Sequence, residues 1–347
     1  MMFKSLTSRS TCAACSLAVV LSLSSWLWPP DRTSSEVVAA DKDNQELLDP
    51  AAWGKDHVGL EVPEYIEGGE CLFCHRNDVG ASWGTDPHNH TIHEANEDHP
   101  AMRALRSKAS TSPIAKEVEL ILGDRRQSCF LKYTGEYGKL ALLTVRADKR
   151  RGRRFRLSGD VANPGWLTEK FADRCAGCHA TGVDGSDRTF ITVGHDCYVC
   201  HGDAPLDHAN EPELMPLSTA RKDAPRVVVS ICAQCHIRFG RSRSTKLPYA
   251  NNFVAGDNLF RDFEADFDKA DDPNISPADR HVMENVRDVV LHDNKELTCL
   301  SCHDVHGNST AKHDKLPDGP SCVTCHDPGQ SKKSHRMYEV HSVLCGY

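Results

Sequence analysis

The sequence predicts a mainly α-helical and irregular fold with a small β-hairpin region around 127–157. Two observations lead to this prediction. The pentapeptide C-x-x-C-H occurs six times, and the 307 residues that follow position 40 leave about fifty residues per copy, fewer than a chain needs to build a core of its own. Runs rich in strand-forming residues are confined to 127–157. The fold is therefore expected to be organised by the packing of whatever group the six motifs bind.

Each motif places two cysteines three positions apart with a histidine directly after the second. Thiols at this spacing can bond to the two vinyl groups of one porphyrin, and the adjoining histidine then ligates its iron. Disulfides and zinc sites are the competing interpretations, but neither requires that histidine. We therefore expect six covalently bound c-type haems. The motif residues are Cys71, Cys74 and His75; Cys175, Cys178 and His179; Cys197, Cys200 and His201; Cys232, Cys235 and His236; Cys299, Cys302 and His303; Cys322, Cys325 and His326.

Residues 1–40 are typical of an export signal. Lys4 and Arg9 precede a short apolar run, and small residues end at Ala40. We expect an exported, periplasmic protein, with an uncleaved membrane anchor as the alternative. This location suits haem attachment, because unprotected thiols outside the cytoplasm otherwise form disulfides.

The remaining chain divides into three predicted regions. Residues 41–126 form an N-terminal arm with the first haem segment, 127–170 a β-rich insertion, and 171–347 the clustered haem-binding region. Two helices have clear start signals, one from Ser112-Pro113 to Gly123 and one from Ser276-Pro277 to about His292.

The second axial ligand of each iron separates an electron carrier from an enzyme, because an empty position admits substrate. Histidine outnumbers methionine 19 to 6, so bis-histidine ligation is expected. The predicted distal ligands are His88, His195, His208, His292, His306 and His341. Some alternatives remain open: His306 as a surface residue, His195 bonded to a propionate, His281 in place of His292, and His335 in place of His341.

Two features lie outside this scheme. Cys129 is interpreted as a buried strand residue, a disulfide partner of Cys345 or a reactive thiol. The turn K-R-R-G-R-R-F-R, from Lys149 to Arg156, is either a solvated hairpin tip or a docking patch. The net charge of −8 argues against nucleic acid as a partner.

Three stretches carry a resemblance to a known family: C-A-G-C-H-A-T-G-V-D, G-H-D-C-Y-V-C-H-G, and C-L-S-C-H-D-V-H-G. The chain resembles the exported multihaem cytochromes of the cytochrome c-552/c-554 superfamily over most of 71–326. That resemblance implies haems stacked in pairs that pass electrons along the protein.

Two functions follow from the sequence. The first is electron transfer between exported redox proteins through mostly bis-histidine haems, with a membrane-associated redox complex as a further partner. The alternative is an oxidoreductase in which one open haem acts on a small nitrogen or sulfur compound. In that case the haem at His75 is the first candidate for the open site, because its motif is isolated in the sequence.

Overall fold

The computed structural model describes residues 65–123, 126–149, 154–292 and 298–306. The predicted signal peptide, the sixth motif at Cys322, Cys325 and His326, and the histidine His341 lie outside these residues, as does Cys345.

A six-stranded antiparallel sheet occupies the region between the first and second motifs. Its strands pair in the order β1-β2-β3-β4-β5, and β6 pairs with β4 beside β5. The strands are β1 Ile92–Glu94, β2 Leu120–Leu122, β3 Gln127–Tyr133, β4 Leu140–Asp148, β5 Arg156–Gly159 and β6 Trp166–Leu167.

Both faces of this sheet are covered. Side chains alternate across β3, so Phe130 joins one core with Met102 and Leu105, which belong to a short helix below the sheet. Leu131 points to the other face, where it packs in a second core with Phe171 and Cys175. The second motif therefore begins inside the apolar layer of the sheet. Cys129 lies in that same layer and is 4 % exposed, as its strand position predicts.

A third core lies between two longer helices. The helix that ends with the fourth motif packs its Val229 and Ala233 against Met283 and Val286 of the helix that precedes the fifth motif. Cys299 of the fifth motif packs on this cluster. The helices are α1 Gly68–His75, α2 Pro100–Arg106, α3 Lys170–Arg174, α4 Ala176–His179, α5 Cys197–His201, α6 Pro225–His236, α7 Pro277–Leu291 and α8 Cys299–Cys302, with one additional turn at Ala81–Trp83. Two further hairpins pair β7 Ala180–Asp184 with β8 Thr189–Val193, and β9 Gly240–Ser242 with β10 Phe263–Ala265.

The prediction of a mainly α and irregular fold is wrong. The described residues contain ten strands, six of them in one antiparallel sheet that reaches well beyond the predicted hairpin region. The predicted helix at Ser112–Gly123 shows why. Only Ile114–Glu117 is helical, as a 3-10 turn, whereas Ile121 pairs with Phe130 in the sheet. Pairing with β3 and burial on the sheet override the helical spacing of the apolar residues.

The second predicted helix is confirmed. It spans Pro277–Leu291, and the hydroxyl of its N-cap, Ser276, accepts a hydrogen bond from the Asp279 N–H. Within the described ranges, none of the helices combines the length and apolar character that crossing a membrane requires.

Candidate functional site

The described motifs all lie in or directly beside helical turns. In a helix, positions i, i+3 and i+4 share one face, so both cysteines and the histidine of a motif can meet one group. Local capping favours these turns. The Asp196 carboxylate accepts from the Tyr198 N–H at the start of α5, and Thr298 and Ser301 cap each other reciprocally at the start of α8.

The turns of different motifs are in contact. Helix α6 of the fourth motif contacts α4, α5 and α8, and α1 contacts α5. Between the second and fourth motifs, the Cys178 thiol lies 3.7 Å from the Gln234 carbonyl oxygen, and the Cys235 thiol lies 3.8 Å from that of Gly177. The Tyr249 ring closes this junction against Gly177, since a Cβ there would lie 2.1 Å from the ring.

Thiol contacts show the same adjacency. A hydrogen bond with Cys197 lowers the pKa of Cys71 to about 7, and the same bond raises the pKa of Cys197. Cys299 bonds with Cys232 and raises the pKa of that thiol. Eight motif cysteines of the described residues form no disulfide: Cys71, Cys74, Cys178, Cys197, Cys200, Cys232, Cys235 and Cys299.

Four motif histidines lie opposite a histidine from outside the motifs, three of them across long stretches of sequence. The ring centroids are 6.3 Å apart for His75 and His208, and 5.9 Å apart for His201 and His306, with ring planes 25° apart in both pairs. His88 lies 6.3 Å from His236 with ring planes 75° apart, and equally far from His195. In each case the two residues are far apart in sequence, so the tertiary fold brings them together.

These separations fit an iron between the rings. A metal–nitrogen bond of about 2 Å and a ring radius of about 1.1 Å place the centroids of two imidazoles on opposite sides of one metal about 6.2 Å apart. Offset or edge-to-face packing of two rings gives centroid distances of about 4.5–7 Å as well. The three distances are therefore compatible with one metal ion between each pair of rings.

Hydrogen bonds hold four of these six rings through Nδ1. The Nδ1–H groups of His208 and His201 each donate over 2.7 Å, to the carbonyl oxygens of Pro205 and Pro216. That of His75 donates to the Asp78 carboxylate over 2.9 Å. Such a bond fixes the tautomer and leaves Nε2 as the acceptor, which is the arrangement of metal-binding histidines.

His88 is the fourth of these rings and has the most buried partner. Asp86, which is 2 % exposed, accepts from both the backbone N–H of His88 over 2.7 Å and its Nδ1–H over 3.0 Å. The sequence pattern indicated His88 as a candidate ligand but did not indicate Asp86. The signal was present, because an acidic residue two positions before a histidine can bond to its ring and backbone together.

His195 is arranged differently. Its ring is parallel to that of His179, with centroids 6.2 Å apart, but its Nε2–H donates to the Cys178 carbonyl oxygen over 2.6 Å. Burial lowers the pKa of His195 to about 4, so the ring is neutral near pH 7. The Nε2 nitrogen, which the Nδ1 hydrogen bonds of the other rings leave available, is therefore engaged in His195.

Other predicted ligands are not brought into such pairs by the described structure. His292 follows α7, is 64 % exposed and bonds through Nδ1 to Asp288 over 3.2 Å. His303 ends the fifth motif directly after α8. Axial ligation stays a prediction for every histidine named here, including His292 and the two outside the described chain, His326 and His341.

An open pocket of about 450 Å³, including its mouth, lies beside the second and fourth motifs. Gly177 and Gln234 from the two motifs line it, together with Tyr198, Tyr249 and Phe253. Without the open solvent at its mouth, the cavity volume is about 30 Å³, which is room for one or two water molecules.

Comparison with known proteins gives one structural similarity. No protein-family model matches the chain, and no curated protein matches it. Among solved structures, the chain is similar to the undecaheme cytochrome from the S-layer of Carboxydothermus ferrireducens, with 17 % sequence identity and a TM-score of 0.40. The aligned part covers 80 % of this chain and 44 % of that one, so this chain spans less than half the length of that protein.

Proposed function

We propose that this chain is an exported hexahaem c-type cytochrome that transfers electrons between redox proteins through mostly bis-histidine haems. The observation that carries the proposal is the set of three imidazole pairs, His75 with His208, His201 with His306, and His236 with His88. Each pair joins the histidine of an attachment motif to a second histidine at the spacing that a six-coordinate iron requires.

In this proposal, the two cysteines of each motif would hold one haem by thioether bonds, and the paired histidines would bind its iron. The bound haems supply reversible one-electron oxidation and reduction. The residues Asp86, Asp78, Pro205 and Pro216 orient the axial rings through Nδ1. Filled axial positions favour electron transfer over substrate binding.

The contacts between motif turns support a route for the electrons. The fourth motif on α6 contacts the turns of the second, third and fifth motifs, and the first motif contacts the third. Because electron tunnelling falls steeply with distance, we place the haem of the fourth motif at a junction. A haem held by the first motif would exchange electrons with it through the third motif, which contacts both.

The test combines intact-mass measurement of the denatured holoprotein with electron paramagnetic resonance of the oxidised form. We expect the added mass of six haems, because thioether-linked haem survives denaturation, and low-spin signals from the three paired irons. A chain that binds no haem covalently, or whose irons are all high-spin, refutes the proposal.

The arrangement of His195 favours a second candidate, an oxidoreductase with one open haem. The Nε2–H of His195 donates to the Cys178 carbonyl oxygen, so this nitrogen is not available to an iron at His179. The haem at His179, rather than the haem at His75, is therefore the first candidate for the open site. A small pocket lined by Gly177 and Gln234 lies beside this motif. A stoichiometric high-spin signal that shifts when nitrite or hydroxylamine is added, and that His195→Ala leaves unchanged, would support this candidate. A fully low-spin spectrum excludes it.

A further inference from the structure

We propose that Asp223 positions and polarises the proposed iron ligand His201 through a single peptide bond. That bond joins Pro216 to Leu217. Its carbonyl oxygen accepts from the His201 Nδ1–H over 2.7 Å, and its N–H donates to the Asp223 carboxylate, also over 2.7 Å. One peptide plane is therefore held at both ends, by the ring and by the carboxylate. The three groups are called the 223–201 relay below, and the inference rests on the proposed function.

The peptide bond lies in a tight turn that runs from Met215 to Ser218. The Ser218 N–H donates to the Met215 carbonyl oxygen over 3.2 Å, which closes the turn. Pro216 occupies the second position of the turn and Leu217 the third, with a φ of 61°. These are the features of a type II turn, whose third position favours glycine because φ is positive there. Leucine in this conformation is strained, and such residues persist only where neighbouring contacts hold them.

The contact that holds Leu217 comes from an ion pair whose carboxylate is buried. The Asp223 side chain is 4 % exposed, and its other oxygen accepts from the Arg221 Nε–H over 2.6 Å. Arg221 also donates through Nη1 to the Leu214 carbonyl oxygen over 3.3 Å, and its backbone N–H donates to the Ser218 hydroxyl over 3.1 Å. The ion pair therefore binds the chain before, within and after the strained position, so the turn depends on it.

The relay gives the His201 ring an indirect contact with a carboxylate. Hydrogen bonds in a chain strengthen one another inside a protein by about 10–30 % per bond, so the charge of Asp223 makes the Pro216 carbonyl oxygen a stronger acceptor. A stronger acceptor at Nδ1 makes the imidazole a better donor to iron, which stabilises the ferric state. The rings of His75 and His88 bond to a carboxylate directly, whereas that of His201 reaches one through a peptide bond.

The test measures the reduction potentials of the holoprotein by spectroelectrochemical titration and its low-spin signals by electron paramagnetic resonance. Asp223→Asn removes the charge but keeps an oxygen that accepts from the Leu217 N–H. Asp223→Ala removes the contact as well, and Asp223→Ser takes its place if the alanine variant does not assemble. The matched control is Asp272→Ala, because Asp272 also accepts from a backbone N–H and a cationic side chain, those of Asn274 and Lys269, both over 2.9 Å.

In Asp223→Ala, we expect the equilibrium constant for reduction of one haem to rise about tenfold, which is about 59 mV for one electron. The carbonyl then has no fixed position, and a neutral hydrogen bond to Nδ1 contributes on this scale. In Asp223→Asn the rise should be only about twofold, because the turn stays in place and only the polarisation is lost. Asp272→Ala should leave every potential unchanged.

Electron paramagnetic resonance assigns the effect to one haem. The low-spin signal of that haem should shift in Asp223→Ala, because the His201 ring can then rotate, and should keep its position in Asp223→Asn. The shifted signal should be the one that His306→Ala removes, since His306 lies opposite His201.

Equal rises in the two Asp223 variants overturn the proposal, because the charge then acts through space and not through the turn. Unchanged potentials in both variants also overturn it, as does a shift in a signal that His306→Ala retains. The unaltered holoprotein keeps these results separate from the proposed function. If its haems are covalently bound and low-spin, such results refute the relay alone, whereas absence of covalent haem refutes the electron carrier itself.

Discussion

Replacement of Asp86 by asparagine should raise the reduction potential of one haem. Asp86 is buried and accepts from both the Nδ1–H and the backbone N–H of His88, the proposed distal ligand opposite His236. Asparagine keeps the shape and one acceptor oxygen but removes the negative charge. The carboxylate makes the imidazole a stronger donor, which stabilises ferric iron over ferrous iron.

The size of the effect follows from the hydrogen bond. Bonds to charged groups contribute about 1.5–3 kcal/mol and neutral ones about 0.5–1.5 kcal/mol, a difference of about 1.5 kcal/mol. At about 59 mV per tenfold change for one electron, this corresponds to a rise of at most about 65 mV. The side chain is only 2 % exposed, so solvent screens little of this charge.

Spectroelectrochemical titration of the holoprotein measures the shift. The matched control is Asp160→Asn, an exposed carboxylate that accepts only a backbone N–H of Asn163 over 3.0 Å. We expect one potential to rise in Asp86→Asn, with all haems still low-spin, and none to move in the control. The reasoning is refuted if no potential moves by more than about 10 mV, or if the control shifts equally.

Three further substitutions test the site. His306→Ala should turn the haem at His201 high-spin without loss of covalent haem. The control is His90→Ala, which should leave every haem low-spin, because the Nε2–H of His90 donates to the Gly84 carbonyl oxygen. An unchanged spectrum in His306→Ala would remove His306 from the ligand set. His195 is buried with a pKa lowered from 6.5 to about 4, so its neutral form stabilises the fold above pH 6.5 and that contribution is lost as the pH falls toward 4. In chemical denaturation, the free energy of unfolding of His195→Gln should fall less with acid than that of the unaltered protein, by up to about 3 kcal/mol. Identical pH profiles of the two proteins would contradict this. Gly177→Ala should lower the free energy of unfolding by about 1–3 kcal/mol because its Cβ overlaps the Tyr249 ring, whereas Gly165→Ala, which has open space at the corresponding position, should not. Equal melting temperatures for the two alanine variants would show that the Tyr249 contact is not tight.

Local signals predicted some elements well. The helix Pro277–Leu291 has a serine N-cap, proline at its first position and an apolar stripe, so every signal agrees with the fold. The helix predicted over Ser112–Gly123 had the same signals but forms a strand at Leu120–Leu122. Strands of three residues, such as Ile92–Glu94, depend on pairing with distant strands, and spacing in the sequence does not contain that information.

The candidate site could likewise be predicted only in part. The C-x-x-C-H motifs are local and could be identified directly in the sequence. The structure brings His208 to His75 and His306 to His201 across long stretches of chain, so the sequence could name these histidines but not assign them to a motif. For the same reason, the isolation of the first motif in sequence did not indicate isolation in space, since α1 contacts the third motif on α5.

The most direct test of the account is the location of iron in crystals of the holoprotein by anomalous diffraction at the iron edge. The proposal predicts peaks midway between His75 and His208, between His201 and His306, and between His236 and His88, each about 3 Å from both ring centroids. Iron positions that lie away from these three midpoints would contradict the bis-histidine assignment.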